Sequence, residues 1–122
     1  MVGFVRFAFS RTLGKEKTLA AMSCTKDDLL SSVEGKTVAL VGNSRALAQT
    51  RFGSQIDHSD IVMRINRAPM PSAISHGSRT TLLALAVSID SAGLGRIKPE
   101  RVLWMSHKRK RLTYRIASGS GF

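Results

Sequence analysis

The apolar positions of this chain fall into short continuous runs separated by glycine-rich, polar punctuation. Thr37-Val38-Ala39-Leu40-Val41 is one such run, with Gly35 before it and Gly42 after it. A continuous apolar run with β-branched members and glycine bounds predicts a strand covered on both faces, as in a parallel sheet. Ile61–Asn66 predicts a second strand and Arg101–Ser106 a further one. Thr80–Ile89 is also apolar, and periodicity alone leaves it open between a strand and a buried helix. Helical spacing is confined to Lys15–Met22, Lys26–Val33 and the short Arg45–Arg51. For the second of these, Thr25 suits the N-cap, Asp27 and Asp28 suit the first turn, and Gly35 suits a left-handed C-terminal residue. Ser44 or Asn43 would cap Arg45–Arg51, and Gly53 would end it. Ile56–Asp60 reads as a turn. Pro69, Pro71 and Gly77 make 67–77 a loop.

The strand–turn–helix–strand order predicts an α/β layout with parallel strands joined by right-handed crossovers. Ligands of such sheets bind outside the carboxyl ends of the strands. Gly42-Asn43-Ser44 and Asn66 both fall there.

Composition narrows the function classes. The chain has 122 residues, is 43% hydrophobic and contains one cysteine, Cys24. That is enough apolar content for a packed core, and it excludes an internal disulfide framework. No run approaches the ~20 apolar residues that a membrane-spanning helix needs. Met1–Ser10 is apolar but split by Arg6, unlike the unbroken core of a secretory signal. Arg6, Arg11, Lys15 and Lys17 beside three Phe suggest an organelle-targeting or membrane-surface segment; Glu16 and the lack of a clean amphipathic face argue against it. Net charge is +11, and residues 96–122 alone hold eight basic side chains against one acidic. A basic cluster such as Lys108–Arg111 marks a polyanion patch or simply a solvated face. Trp104, Tyr114 and Phe122 are few aromatics for base stacking, which counts against nucleic acid.

Several residues carry candidate chemistry. Gly42 would let the backbone turn sharply and approach a ligand. Asn43 offers both a donor and an acceptor. Ser44 and the amides after it would face an anion at a helix start, although helix capping accounts for Asn43 and Ser44 equally well. Gly35-Lys36-Thr37 is no P-loop: it lacks the earlier glycine and precedes its strand. No G-x-G-x-x-G follows the first strand. Asp57 and Asp60 are either paired carboxylates or turn-shaping residues. Arg64 shares a strand face with Asn66 and needs a partner if buried, for which Asp57 or Asp60 is the candidate. Ser78-Arg79-Thr80 gives clustered hydroxyls before an apolar stretch. His58, His76 and Cys24 lack a zinc spacing, so no metal site is expected.

Taken together, Val41-Gly42-Asn43-Ser44, Gly53, Ile56-Asp57, Asp60 through Pro69 and Gly77-Ser78-Arg79-Thr80-Thr81 resemble the large sialyl motif of the sialyltransferases, glycosyltransferase family 29. The resemblance covers residues 36–89. It implies an incomplete Rossmann-like α/β fold of the GT-A-variant type. It also implies transfer of a sugar, typically sialic acid, from a CMP-sugar donor to an acceptor hydroxyl of a glycan or polysaccharide, with inversion and without a metal or other cofactor. By that similarity Asn43 and Asn66 contact CMP, with Gly42, Ser44, Ser78 and Thr80 beside it and Asp57, Asp60 and Arg64 in support. The family's later histidine motif is not found, and none of His58, His76 and His107 sits in a matching context. The chain is therefore expected to consist of an N-terminal helical segment, 1–34, and a truncated donor-binding portion, 35–122. Val38 stands where vertebrate members carry a cysteine, which points to a cytoplasmic, bacterial-type protein. A piece of a eukaryotic Golgi membrane enzyme is the alternative. Against the glycosyltransferase stand a small basic nucleic-acid-binding domain and a non-catalytic interaction domain; a membrane surface stays open as a partner of the basic segments.

Overall fold

The computed structural model describes residues 24–106 and four isolated positions nearer the start (3, 5, 6 and 8). The expected helix Lys15–Met22, the basic cluster Lys108–Arg111 and His107 lie outside the described residues. Within them the chain runs α1 (Lys26–Val33), β1 (Val38–Val41), a 3-10 helix (Arg45–Gln49), α2 (Gly53–His58), β2 (Ile61–Ile65), α3 (Ala73–His76), β3 (Leu82–Leu85), α4 (Ser91–Ile97) and β4 (Arg101–Trp104). The four strands form one parallel sheet in the order β1-β2-β3-β4. This is the expected α/β layout, and within Thr80–Ile89 the four residues Leu82–Leu85 form a strand. No described helix is long and apolar enough to cross a membrane.

Local signals account for the first helix. Thr25 Oγ1 accepts from the Asp28 amide at 3.1 Å, while Asp28 Oδ2 accepts from the Thr25 amide at 3.1 Å. Each side chain thus satisfies one of the helix's orphan donors. Gly35 follows with φ 68°, the left-handed residue expected there.

Register aligns Val41, Arg64, Leu83 and Val102 in one row across the sheet. All four are buried, and Leu83 and Val102 are fully so. Strands that succeed one another in order through right-handed crossovers place their connections on one face. The contacts agree: α2 packs on α3, and α3 on the 3-10 helix. Gly53 makes the first approach possible, because a Cβ there would overlap the Ala73 carbonyl. Gly53 therefore opens α2 instead of ending the preceding helix, and most of the expected turn 56–60 is helical. The loop 67–77 likewise contains one helical turn, α3.

β1 departs from the expectation of burial on both faces. Val38 is 48% and Leu40 64% exposed. Among the described residues β1 pairs only with β2, so it is an edge strand. Its apolar run encodes a parallel strand, and the edge position leaves it uncovered.

Candidate functional site

Two loops leave the carboxyl edge of the sheet side by side. After β1 the chain passes through Gly42-Asn43-Ser44, and after β2 through Asn66-Arg67-Ala68. Asn43 Nδ2 donates to the Ile65 carbonyl at 3.1 Å. Asn66 Oδ1 accepts from the Ala86 amide at 2.9 Å, just past the end of β3. The two asparagines thus tie three strand ends together. The backbone also fixes which way each amide faces, because a carbonyl requires a donor and an N–H requires an acceptor. What remains is complementary: Asn43 keeps Oδ1 as an acceptor and Asn66 keeps Nδ2 as a donor.

Asn66 holds φ 53°, a left-handed conformation that asparagine tolerates better than most residues. Ser44 caps the 3-10 helix, its hydroxyl accepting from the Ala46 amide at 3.2 Å. Gly42 does not adopt a left-handed conformation, so its expected sharp turn is absent; a Cβ there would meet nothing within 4 Å. The space over this loop is open. Two recesses are lined by chain neighbours of the asparagines. One of about 510 Å³ adjoins Gly42 and Ser44 and has the apolar lining of Leu40, Leu47, Phe52 and Ile56. The other, of about 770 Å³, is lined by Arg67, Asp90 and Arg96 with Ser88, Ile89 and Gly93. Both volumes lie in the range of small-molecule sites.

The structure does not bring Ser78 and Thr80 to this edge. Both precede β3, and the register sets Thr80 level with Ile61, five residues before Asn66. At about 3.3 Å per residue they stand roughly 16 Å away, at the amino edge. Their hydroxyls are also committed. Ser78 Oγ donates to Asp57 Oδ2 at 3.0 Å, and Thr80 Oγ1 accepts from Arg64 Nε at 3.0 Å.

The supporting residues build that amino edge. Asp57 accepts from the amides of Ser78 and Arg79, each at 3.0 Å to Oδ1. Burial raises its pKa, and the hydrogen bonds from Arg79 and Ser78 outweigh burial, so the carboxyl titrates below its ordinary range. Gly77 makes this contact possible: it has φ 69°, and a Cβ there would collide with Asp57 Oδ1. Asp60 accepts from the amide and hydroxyl of Thr37, both at 2.8 Å. The backbone hydrogen bond from Thr37 leads in lowering its pKa. The two carboxylates therefore serve separate loops and do not form a catalytic pair.

Arg64 is 1% exposed, yet neither Asp57 nor Asp60 pairs with it. Its guanidinium donates to the carbonyls of His76 and Arg79, each at 2.8 Å, and to Thr80 Oγ1, while one terminal nitrogen has no partner. Burial lowers its pKa, and the charge of Asp57 acts in the opposite direction. Sequence reasoning noted Arg79 only as part of the Ser78-Arg79-Thr80 turn and missed its role: its guanidinium donates to the carbonyls of Asp57 and Ser59 at the carboxyl end of α2. It missed Arg96 as well, which donates to the carbonyls of Arg67 and Ala68. Arg79 just past α3 and Arg96 in the last turn of α4 are weak signals for such clamps.

The described histidines stay away from the carboxyl edge. His58 Nδ1 lies 2.9 Å from the Ser54 carbonyl within α2, and His76 is buried with Ser75 Oγ 2.7 Å from its Nδ1. Cys24 is a free thiol. Among the described residues no group of three His, Cys, Asp or Glu could hold a metal ion.

Comparison with known proteins bears on this arrangement. The alpha-2,8-sialyltransferase 8F of Homo sapiens is 35% identical over 69 residues, covering 55% of this chain and 17% of that protein. The CMP-N-acetylneuraminate-beta-1,4-galactoside alpha-2,3-sialyltransferases of Rattus norvegicus and Homo sapiens are 40% identical over 68 residues, covering 52% of this chain and 18% of theirs. The matched segment thus spans under a fifth of these relatives' lengths. No solved structure matches the chain significantly. The family model for glycosyltransferase family 29 (sialyltransferase) matches residues 5–113, nearly the whole sequence. This chain belongs to glycosyltransferase family 29.

Proposed function

We propose that this chain carries the nucleotide-binding part of a sialyltransferase-type enzyme. The enzyme would transfer sialic acid or a related sugar from a CMP-sugar to a glycan hydroxyl, with inversion and without a metal. One observation carries the reading. Asn43 and Asn66 stand together at the carboxyl edge with their amides oriented by backbone groups, and their chain neighbours Gly42, Ser44 and Arg67 line two recesses.

The chemistry follows from that orientation. Asn43 Oδ1 accepts from an N–H or O–H of the cytidine, and Asn66 Nδ2 donates to one of its oxygens. Departure of CMP concentrates negative charge on its phosphate, and donors fixed before the reaction stabilise that charge without reorganising. The transition state at the sugar carbon has oxocarbenium character. Positioning and electrostatics are therefore this segment's contribution. Gly42, Ser44 and the open space above them complete the nucleotide's surroundings. The mammalian sources of the relatives support the Golgi-type reading of compartment over the cytoplasmic one.

Replacing Asn66 with Ala tests the assignment. The variant removes one ligand donor and the tie to Ala86, so CMP should bind about 30–1,000-fold more weakly by calorimetry, roughly 2–4 kcal/mol. The circular dichroism spectrum should stay unchanged. Equal affinity in the variant would contradict the assignment.

A further inference from the structure

The loop that presents Asn66 is held in an unfavourable shape. Asn66 has φ 53° and Ala68, two residues on, has φ 40°. Alanine has no side-chain group to offset a left-handed backbone, so something outside the loop must hold it. The only local bond across the turn is the Ala68 amide to the Ile65 carbonyl, at 3.1 Å. The external hold comes from α4. Arg96 Nη2 donates to the Arg67 carbonyl at 2.7 Å, and Nη1 to the Ala68 carbonyl at 3.1 Å.

The base of this clamp is itself fixed. Asp90 caps α4, accepting from the Gly93 amide at 2.7 Å, and Ile97 beside Arg96 is 2% exposed. Arg96 occupies the last turn of the helix, where a cation is favoured. Two carbonyls on successive residues match the two terminal nitrogens of a planar guanidinium. A lysine ammonium carries the same charge but cannot span them in fixed geometry.

We propose that Arg96 is a positioning residue. It clamps the Arg67 and Ala68 carbonyls, keeps the turn left-handed, and so holds the Asn66 amide in the orientation that ligand binding uses. The inference rests on the CMP-site reading for its consequence but not for its geometry. Arg96 is exposed at the surface, so its substitution leaves the core intact.

Two readouts on the full chain test it. In the free protein, Arg96→Lys and Arg96→Ala should both speed hydrogen exchange of the Ala86 amide, the group that donates to Asn66, by at least fivefold. Exchange of core amides such as Val62 should be unchanged. With CMP as the probe, both variants should bind at least tenfold more weakly. Adding Ala68→Gly to Arg96→Ala should recover part of that loss, because glycine adopts the left-handed shape without a clamp. Wild-type behaviour of Arg96→Lys in either readout would overturn the clamp, since charge alone would then suffice. If the wild-type chain fails to bind CMP while the Arg96 variants still accelerate Ala86 exchange, the nucleotide reading fails and the clamp stands.

Discussion

Asp57 shows how one side chain decides the shape of a whole corner. Its carboxylate gathers the amides of Ser78 and Arg79 and the Ser78 hydroxyl, which sets the turn that leads into β3. Those bonds favour the ionised form, so the folded pKa lies below the unfolded value of 3.8. The stabilisation is complete above that value and disappears as pH falls through it toward the lower folded pKa. Asp57→Asn should therefore lower the melting temperature at pH 7 and flatten its decline below about pH 4. A thermal melt series from pH 7 to pH 2.5 checks this. An acid-side decline as steep as the wild type's would show that Asp57 is not a principal contributor. Asp60 and Asp28 are shifted in the same direction, chiefly by hydrogen bonds from Thr37 and Thr25.

At the scale of elements, legibility in the sequence followed how local the cause was. The bounds of α1 were readable because Thr25, Asp28 and Gly35 encode both of its ends. Three of the strands were readable because short apolar runs bounded by polar or glycine punctuation fit a parallel sheet, while the run Thr80–Ile89 stayed open between strand and helix because periodicity alone does not separate the two. α2 and α3 were not, since each is a turn or so long and is held by mutual packing across Gly53. α4 carries two glycines that weaken its propensity, and it was not read from the sequence. Asn43 and Asn66 were placed together because both follow strands. Ser78 and Thr80 precede one, which in a parallel sheet sends them to the other edge. Arg64 shows the same limit inside β2: its partners are two carbonyls and the Thr80 hydroxyl, and no charge pattern in the sequence encodes them. Arg64→Met keeps the volume and abandons those carbonyls, so it should cost roughly 2–4 kcal/mol. Urea denaturation measures this, and an unchanged midpoint would show that the guanidinium is dispensable to the fold.

Across the whole molecule, the two sheet edges divide the labour. The amino edge is a structural corner knitted by Asp57, Asp60, Arg64 and Arg79. The carboxyl edge is open, polar and flanked by two recesses. Five of the eight basic side chains of residues 96–122 lie beyond the described residues, and Arg96, among the other three, donates to the loop that carries Asn66. This division makes the central claim testable with one titration: CMP added to isotope-labelled full chain, followed by amide and side-chain resonances. Saturable shifts are expected at Asn43, Ser44, Asn66 and Ala86, with Ser78 and Thr80 unmoved. Shifts confined to Lys108–Arg111, and reproduced by any polyanion, would contradict the assignment of the carboxyl edge as the nucleotide site.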